Sequence, residues 1–408
     1  MKVTALAFRN LGRNYRRTLV TALSIACGFA AISLFAGYTK TVYRGLADQA
    51  IHGELLGHLT IVKKGLRRDG RLHPEKYLLN GDEIGRMIEI VHQSSPAAHV
   101  APRLAISGLL SNGRVSTIFL AEGIAPADME KLRGPRVRAS GALSEKVSIG
   151  VTVARGLAEM LGLKENSDTS VLVSTVQGQA NALDVSVIDT FSTGNASTED
   201  KFMFMPLQLA QTLYDVQGRA DRLTILLPDA AQTEQQRATL RLALAQAGFA
   251  VEVETWQELS AFYRQVKSLF DMIFSFLLSI VVAIIVMSIT NAMSMSVIER
   301  TREIGTLRAI GVRRLGVVSL FVTEAFLLVS VACVAGLALT TLLSFGINAS
   351  EIVYRPPNST DEVPLLIGFD AAKVLVAGLL LSLLGVIAAY IPARRAAAQP
   401  IIDSLGHV

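Results

Sequence analysis

The stretch Met295-Ser-Val-Ile-Glu-Arg-Thr-Arg-Glu-Ile-Gly-Thr-Leu-Arg-Ala-Ile-Gly-Val-Arg-Arg314 separates two long apolar runs. Within it Ile304, Leu307 and Ile310 recur every third position, with Glu299, Arg300, Arg302, Glu303 and Arg308 interspersed. Gly311 suits the end of a helix, where a left-handed residue closes the last turn. The spacing predicts a short amphipathic helix within 296–316. An apolar ridge flanked by charge suits docking into a groove of a soluble partner. It equally suits a basic turn resting on lipid headgroups.

The flanking runs are Met272–Ala292 and Val317–Leu343, and two more lie at Thr18–Gly37 and Ala371–Tyr390. Each approaches or exceeds the roughly 20 apolar residues needed to cross a bilayer as a helix. With their flanks they define spans 18–38, 268–295, 317–345 and 371–391. The predicted fold is therefore an α-helical membrane protein with four transmembrane helices. A large α+β domain, 39–267, is inserted between helices 1 and 2. Residues 1–17 and 392–408 form terminal segments, and 346–370 a loop. The first run is longer than the roughly 7–15 residues of a signal-peptide core. Tyr38-Thr39-Lys40 after it offers no small-x-small cleavage site, so it reads as an uncleaved anchor.

Composition agrees. Of 408 residues, 51% are hydrophobic and 18% charged, below the about 25% charged usual in soluble domains. The net charge of +5 gathers beside apolar runs rather than on a polar face, which argues against nucleic acid. Lys2, Arg9, Arg13, Arg16 and Arg17 precede the first run, and Arg394 and Arg395 follow the fourth. Arg300, Arg302, Arg308, Arg313 and Arg314 lie between the second and third. The loop before the fourth carries Glu351, Asp361, Glu362 and Asp370 against Arg355. Positive residues in short loops stay inside. Both termini and the basic loop are thus expected in the cytoplasm, and 39–267 and 346–370 outside, in a multi-pass bacterial inner-membrane protein.

In the inserted domain, strands are expected at Leu59–Val62, Val115–Leu120, Ser170–Ser174, Leu223–Leu227 and Ala250–Val253, and helices at Gly81–His92, Val153–Leu161, Pro206–Tyr214 and Thr233–Ala247. Asp184–Asp200, rich in Ser, Thr, Asp and Asn, reads as loop or edge. No Gly or Pro occurs from Glu252 to Glu303, so the second span is expected as one long helix rising into the domain. His52 and His58 lack the further ligands a zinc site needs. Cys27 and Cys333 read as small buried apolar residues. No G-x-S-x-G and no Walker A motif occurs. No catalytic site, metal or cofactor is expected in the chain.

The string S-V-x-E-R-T-R-E-I-G-x-L-R-A-x-G resembles the signature of the FtsX/MacB-type permeases, the type VII ABC transporter superfamily. Phe321-Val-Thr-Glu-Ala-Phe-Leu-Leu328 and the tail Ile391-Pro-Ala-Arg-Arg-Ala-Ala-Ala-Gln-Pro-Ile401 resemble other family segments. The order of one span, a large outer domain and three spans matches along the whole chain. Gly57-His-Leu-Thr-Ile-Val-Lys-Lys-Gly65 and the segment Thr255–Leu269 lean toward the lipoprotein-releasing LolC/LolE branch.

The resemblance implies a permease dimer, of identical or paralogous copies, on a pair of cytoplasmic ABC ATPases that bind ATP and Mg. MacB-type relatives carry an ATPase domain at the N-terminus; none is seen here, so a separate ATPase polypeptide is expected. Glu299, Arg300, Thr301, Arg302, Glu303, Ile304, Gly305, Leu307 and Arg308 would form the coupling helix that meets it. ATP-driven closure would reach the outer domains through the second span, without a central pore: mechanotransmission. Glu324, inside the third span, would pair with an arginine of the loop or reach headgroup water. Gly28, Ala30, Ala31 and Gly37 suit a lateral groove for acyl chains or ordinary close packing. Three outcomes are implied: lipoprotein extraction to a periplasmic carrier, export through a periplasmic adaptor, or signalling to a cell-wall hydrolase.

Overall fold

The computed structural model describes residues 15–70, 72–134, 141–355 and 362–401. The described residues fall into two compact units. One comprises those up to Tyr43, Val266–Val353 and those from Pro364 on; the other comprises those of Arg44–Gln265 and Tyr354–Val363.

The first unit is built on four helices long and apolar enough to cross a membrane. They span Tyr15–Asp48, Ala261–Glu299, Arg314–Ala349 and Ala371–Ala398. At about 1.5 Å per residue, even the 28-residue fourth helix exceeds a hydrocarbon core of about 30 Å. All four outrun the apolar runs read from sequence, because helix continues through polar flanks. The second helix is unbroken over 39 residues, as expected from the missing Gly and Pro; its residues 261–265 group with the other unit.

Ile25, Phe29, Ile285, Ile289, Phe321 and Leu381 share one buried cluster that joins all four helices. Large apolar side chains such as Phe276, Met287, Val334 and Leu375 stay exposed, as befits a surface solvated by lipid. Small residues mark the tightest approaches. A Cβ on Gly336 would stand 2.7 Å from the Ala26 carbonyl oxygen, and one on Gly28 2.8 Å from Val281. One on Gly37 would strike the Gly368 carbonyl. Gly28, Ala30 and Gly37 thus serve close packing, whereas Ala31 is exposed. Cys27 is exposed, against the expectation of burial, and Cys333 is half-buried.

The second unit carries a nine-stranded sheet. Its strands are β1 (Leu59–Lys63), β2 (His99–Ser111), β3 (Ser116–Ile124), β4 (Gly150–Ala154), β5 (Asp168–Ser174), β6 (Ala180–Phe191), β7 (Phe202–Pro206), β8 (Arg222–Leu226) and β9 (Val251–Thr255). The order is β3-β7-β4-β6-β5-β2-β8-β1-β9, and β3 also pairs with β2. The 13-residue β2 therefore serves two bodies. Its first half, His99–Arg103, pairs with β8 and extends an antiparallel sheet through β1 to β9. From Arg103 onward it pairs with β3, and from Gly108 also with β5, closing a barrel through β7, β4 and β6. Leu104, Ile106, Phe119, Val151, Val187 and Met203 fill the barrel. Helices Gly81–Ser94 and Thr233–Gln246 cover the sheet through Met87, Val91, Leu240 and Leu244. Asn80 and Glu83 cap the first of these reciprocally.

Four strands escaped the sequence reading: β2, β4, β6 and β7. The expected helix Val153–Leu161 begins as strand β4 and turns helical at Arg155. Asp184–Asp200 is corrected most: its first part is β6, an interior strand between β4 and β5. Val185 and Val187 point inward at period two. The polar residues between them are cross-strand partners, as in Ser186 Oγ donating to Asp168 Oδ1 at 2.8 Å.

Candidate functional site

The second membrane helix ends at Glu299, and Arg300, at φ −114° and ψ 16°, turns the chain into a nine-residue linking helix, Thr301–Ala309. The turn is held by Thr301 Oγ1, which donates to the carbonyls of Val297 and Ile298 at 3.0 Å each. At the far end Gly311 takes φ +97°, and the amides of Gly311 and Val312 return to the carbonyls of Arg308 and Leu307. A Cβ on Gly311 would meet nothing within 4 Å, so glycine is required for its backbone angle and not for space. The third membrane helix then starts at Arg314.

Two arginines fasten this elbow. Arg300 Nε bonds Glu303 Oε2 at 2.9 Å, and its Nη1 reaches Glu324 Oε2 at 3.3 Å. The guanidinium also lies 5.7 Å from the centre of the Phe321 ring. Glu324 is 5% exposed, so of the two readings the arginine pair is the one realised. Arg308 Nη1 donates to the carbonyls of Ala397 at 3.0 Å and Gln399 at 2.8 Å. These stand at the C-terminal end of the fourth helix, where unpaired carbonyls favour a cation. The linking helix is thus tied by charge to both following membrane helices.

The apolar ridge divides: Ile304 is buried, Leu307 half-buried and Ile310 exposed. Ile304 is 4% exposed and packs in one cluster with Val297, Val317, Phe321 and Ala393. Thr301 and Gly305 are buried with it. Arg300, Glu303, Leu307 and Arg308 are half-buried, and Glu299 and Arg302 are exposed. The exposed surface continues over Thr306, Ala309, Ile310, Arg313, Arg314 and Leu315, outside the set expected to meet the ATPase. Ile310 is 74% and Leu315 78% exposed, apolar positions at either side of Gly311. The signal was there in the helix stop itself, since residues around a terminating glycine leave the packed face.

Elsewhere, both weighed histidines are already engaged. His52 Nδ1 lies 2.7 Å from the Leu132 carbonyl oxygen. His58 is buried and its Nδ1 accepts the Leu227 amide at 3.0 Å, so its ring is neutral. Burial first, then nearby His52, push its pKa down to about 4. Among the described residues no group of three or more His, Cys, Asp or Glu could hold a metal ion.

The chain matches two family models: the MacB-like periplasmic core domain over 18–242 and the FtsX-like permease C-terminal region over 274–401. It is 24% identical to the macrolide export ATP-binding/permease protein MacB of Bdellovibrio bacteriovorus, over 98% of this chain and 60% of that protein. It is 22% identical to the lipoprotein-releasing system transmembrane protein LolC of Neisseria meningitidis, over 81% of this chain and 77% of that one. The periplasmic region of MacB from Actinobacillus actinomycetemcomitans superposes with a TM-score of 0.36 at 15% identity, covering 52% of this chain and 92% of that one. The chain spans about 60% of the length of the first MacB relatives it matches. With its four membrane helices, the elbow between the second and third, and the α+β insert after the first, the chain belongs to the FtsX/MacB superfamily of ABC transporter permeases and is a multi-pass inner-membrane protein.

Proposed function

We propose that the chain couples ATP hydrolysis on a cytoplasmic ABC ATPase pair to movement of its extracytoplasmic domain, and that the work done is release of lipoproteins from the inner membrane. The observation that carries the coupling is the elbow. A push on the linking helix is carried by Arg300 to the third membrane helix and by Arg308 to the fourth. The second helix adjoins it directly at Glu299. In this reading the elbow and both termini are cytoplasmic, and 39–267 lies in the periplasm. The permease works as a dimer with a second copy or a paralogue. The ATPase meets the outward surface, Glu299, Arg302, Glu303, Leu307 and Ile310, while Arg300, Thr301, Ile304, Gly305 and Arg308 hold the helix in place.

Lipoprotein release is favoured by the LolC relative and the Gly57–Gly65 segment. The MacB relatives, which align over nearly the whole chain, favour export through a periplasmic adaptor as the second reading. Photo-crosslinking from the outer domain in cells, with mass spectrometry of the captured proteins, separates them. Capture of lipoproteins or their carrier supports release; capture of an adaptor alone overturns it. Coupling is tested by R302E, which is expected to abolish ATPase co-purification while membrane insertion persists. Undiminished ATPase binding in R302E removes this face from the contact.

A further inference from the structure

The periplasmic core unit contains a cavity of about 400 Å³ that the coupling argument does not use. This is the size of a small-ligand pocket. Its apolar wall consists of Leu56, Phe191, Phe202, Phe204, Leu259 and Phe262. Phe202 stands edge-on to Phe191 and Phe204 with ring centres 6.4 and 5.0 Å apart. A loop supplies the polar rim through Thr193, Asn195 and Thr198. It is ordered before any ligand arrives, since the Thr193 amide and hydroxyl both donate to Glu199 Oε2 at 2.7 Å.

Three ionisable side chains line the cavity: Glu54, Arg103 and Glu122. Arg103 is 1% exposed. Its Nη1 donates to the Leu55 carbonyl and its Nη2 lies 3.1 Å from Glu122 Oε2, while its Nε has no hydrogen-bond partner. Glu122 is further held by Arg222 at 3.2 Å, which in turn pairs with Asp221 at 2.8 Å. Arg103 and Glu122 therefore offset one another, as do Arg222 and Asp221. Glu54 is left over: among the described residues its carboxylate has neither ion pair nor side-chain hydrogen bond, and burial holds its pKa above the usual carboxylate range. An isolated half-buried carboxylate is costly unless a partner arrives.

We propose that this cavity binds a monocationic amphiphile, an amine on a compact apolar body, with the ammonium on Glu54 and the body on the phenylalanine wall. The lining charge then closes to zero. Ala261, Phe262 and Gln265 form one side of the cavity and open the helix that ends at Glu299. An occupant therefore touches the helix that adjoins the elbow. The proposal does not depend on which cargo the permease moves.

The test compares three probes of one shape on the full chain in lipid nanodiscs, with empty nanodiscs subtracted: 1-naphthylmethylamine, 1-naphthalenemethanol and 1-naphthoate. The amine is expected to bind saturably and at least tenfold tighter than either other probe. E54Q is expected to reduce its affinity to that of the alcohol, with a melting temperature no lower than that of the wild type. S197W, which narrows the cavity and leaves Glu54 in place, is expected to weaken all three. Absence of saturable amine binding, preference for the alcohol or the naphthoate, an unaltered amine preference in E54Q, or full amine binding in S197W each overturns the proposal.

Discussion

Each unit of the molecule buries a guanidinium against a glutamate, and the two do it differently. In the membrane unit Arg300 meets Glu324 across 24 residues of chain, with Glu303 as the second carboxylate. In the soluble unit Arg103, Glu122, Arg222 and Asp221 form a relay over three neighbouring strands, β2, β3 and β8. The relay has internal alternatives: removing one member leaves the others partly matched. The membrane pair lies against the apolar cluster around Phe321, where a charge that loses its ion-pair partner is costly. A pair set in an apolar cluster suits an element that must hold one geometry under load. A relay suits a place where β2 passes from sheet to barrel and must stay fixed in both.

The largest expected effect follows from that contrast. E324A leaves Arg300 half-buried with Glu303 alone, and the loss of one partner of a buried pair costs about 3–5 kcal/mol. The full chain in nanodiscs should show this as a large drop in melting temperature. The double variant R300M/E324L should recover most of the stability and none of the transport. A double variant as unstable as E324A would mean that Glu324 is held by something other than this pair.

The next effect lies outside the relay and tests how much of this unit's acid sensitivity one buried histidine carries. His58 is neutral when folded, with a pKa of about 4 against the usual 6.5 of a free imidazole. The unfolded chain therefore binds the proton first as pH falls. The stability held by the neutral ring is complete above pH 6.5 and is lost as pH falls to about 4, amounting to about 3 kcal/mol at about 1.4 kcal/mol per unit. Denaturant unfolding of the soluble unit within the full chain, followed between pH 7 and 4, should slope in the wild type and flatten in H58Q. An equal slope in H58Q would show that the acid sensitivity of this unit does not come from His58.

Within the relay, E122Q is expected to cost about 2 kcal/mol, less than E324A. Arg103 keeps the Leu55 carbonyl and Arg222 keeps Asp221. The same unfolding measurement reads it. A loss equal to that of E324A would show that the relay has no reserve.

The two networks also differ in how visible they are in sequence. Glu324 stands out because a carboxylate interrupts an apolar run, and Arg300 because the family motif contains it. That Glu324 pairs with an arginine of the loop could be named from sequence as one of two alternatives; which arginine could not. Arg103, Glu122 and Arg222 carry no such signal. They meet only because β2 pairs Arg103 with Ile124 on one side and Arg222 on the other, and that register follows from the folded sheet. The same cause hid four strands: β2 switches partners midway, and β6 carries Ser and Asp residues that resemble loop chemistry until the alternation of Val185 and Val187 is set against β5. The membrane helices were legible because lipid imposes length and polarity along the chain itself. The face of the linking helix was not, because a three-residue apolar period states that one side is packed and is silent on whether the packing partner is this chain or another.

Gly311 supplies the smallest effect and the finest test of the elbow. Its φ of +97° is open to glycine and strained for any side chain, although a Cβ there would touch nothing. G311A should therefore cost about 1 kcal/mol through backbone strain alone, a small shift in melting temperature beside that of E324A. If the linking helix transmits force as one piece with the third and fourth helices, relaxation of this turn lets it tilt about Arg300 and Arg308. ATPase binding should then persist while transport per ATP hydrolysed falls. Unchanged coupling in G311A, at the expected small loss of stability, would show that the two arginine ties fix the helix without help from the turn.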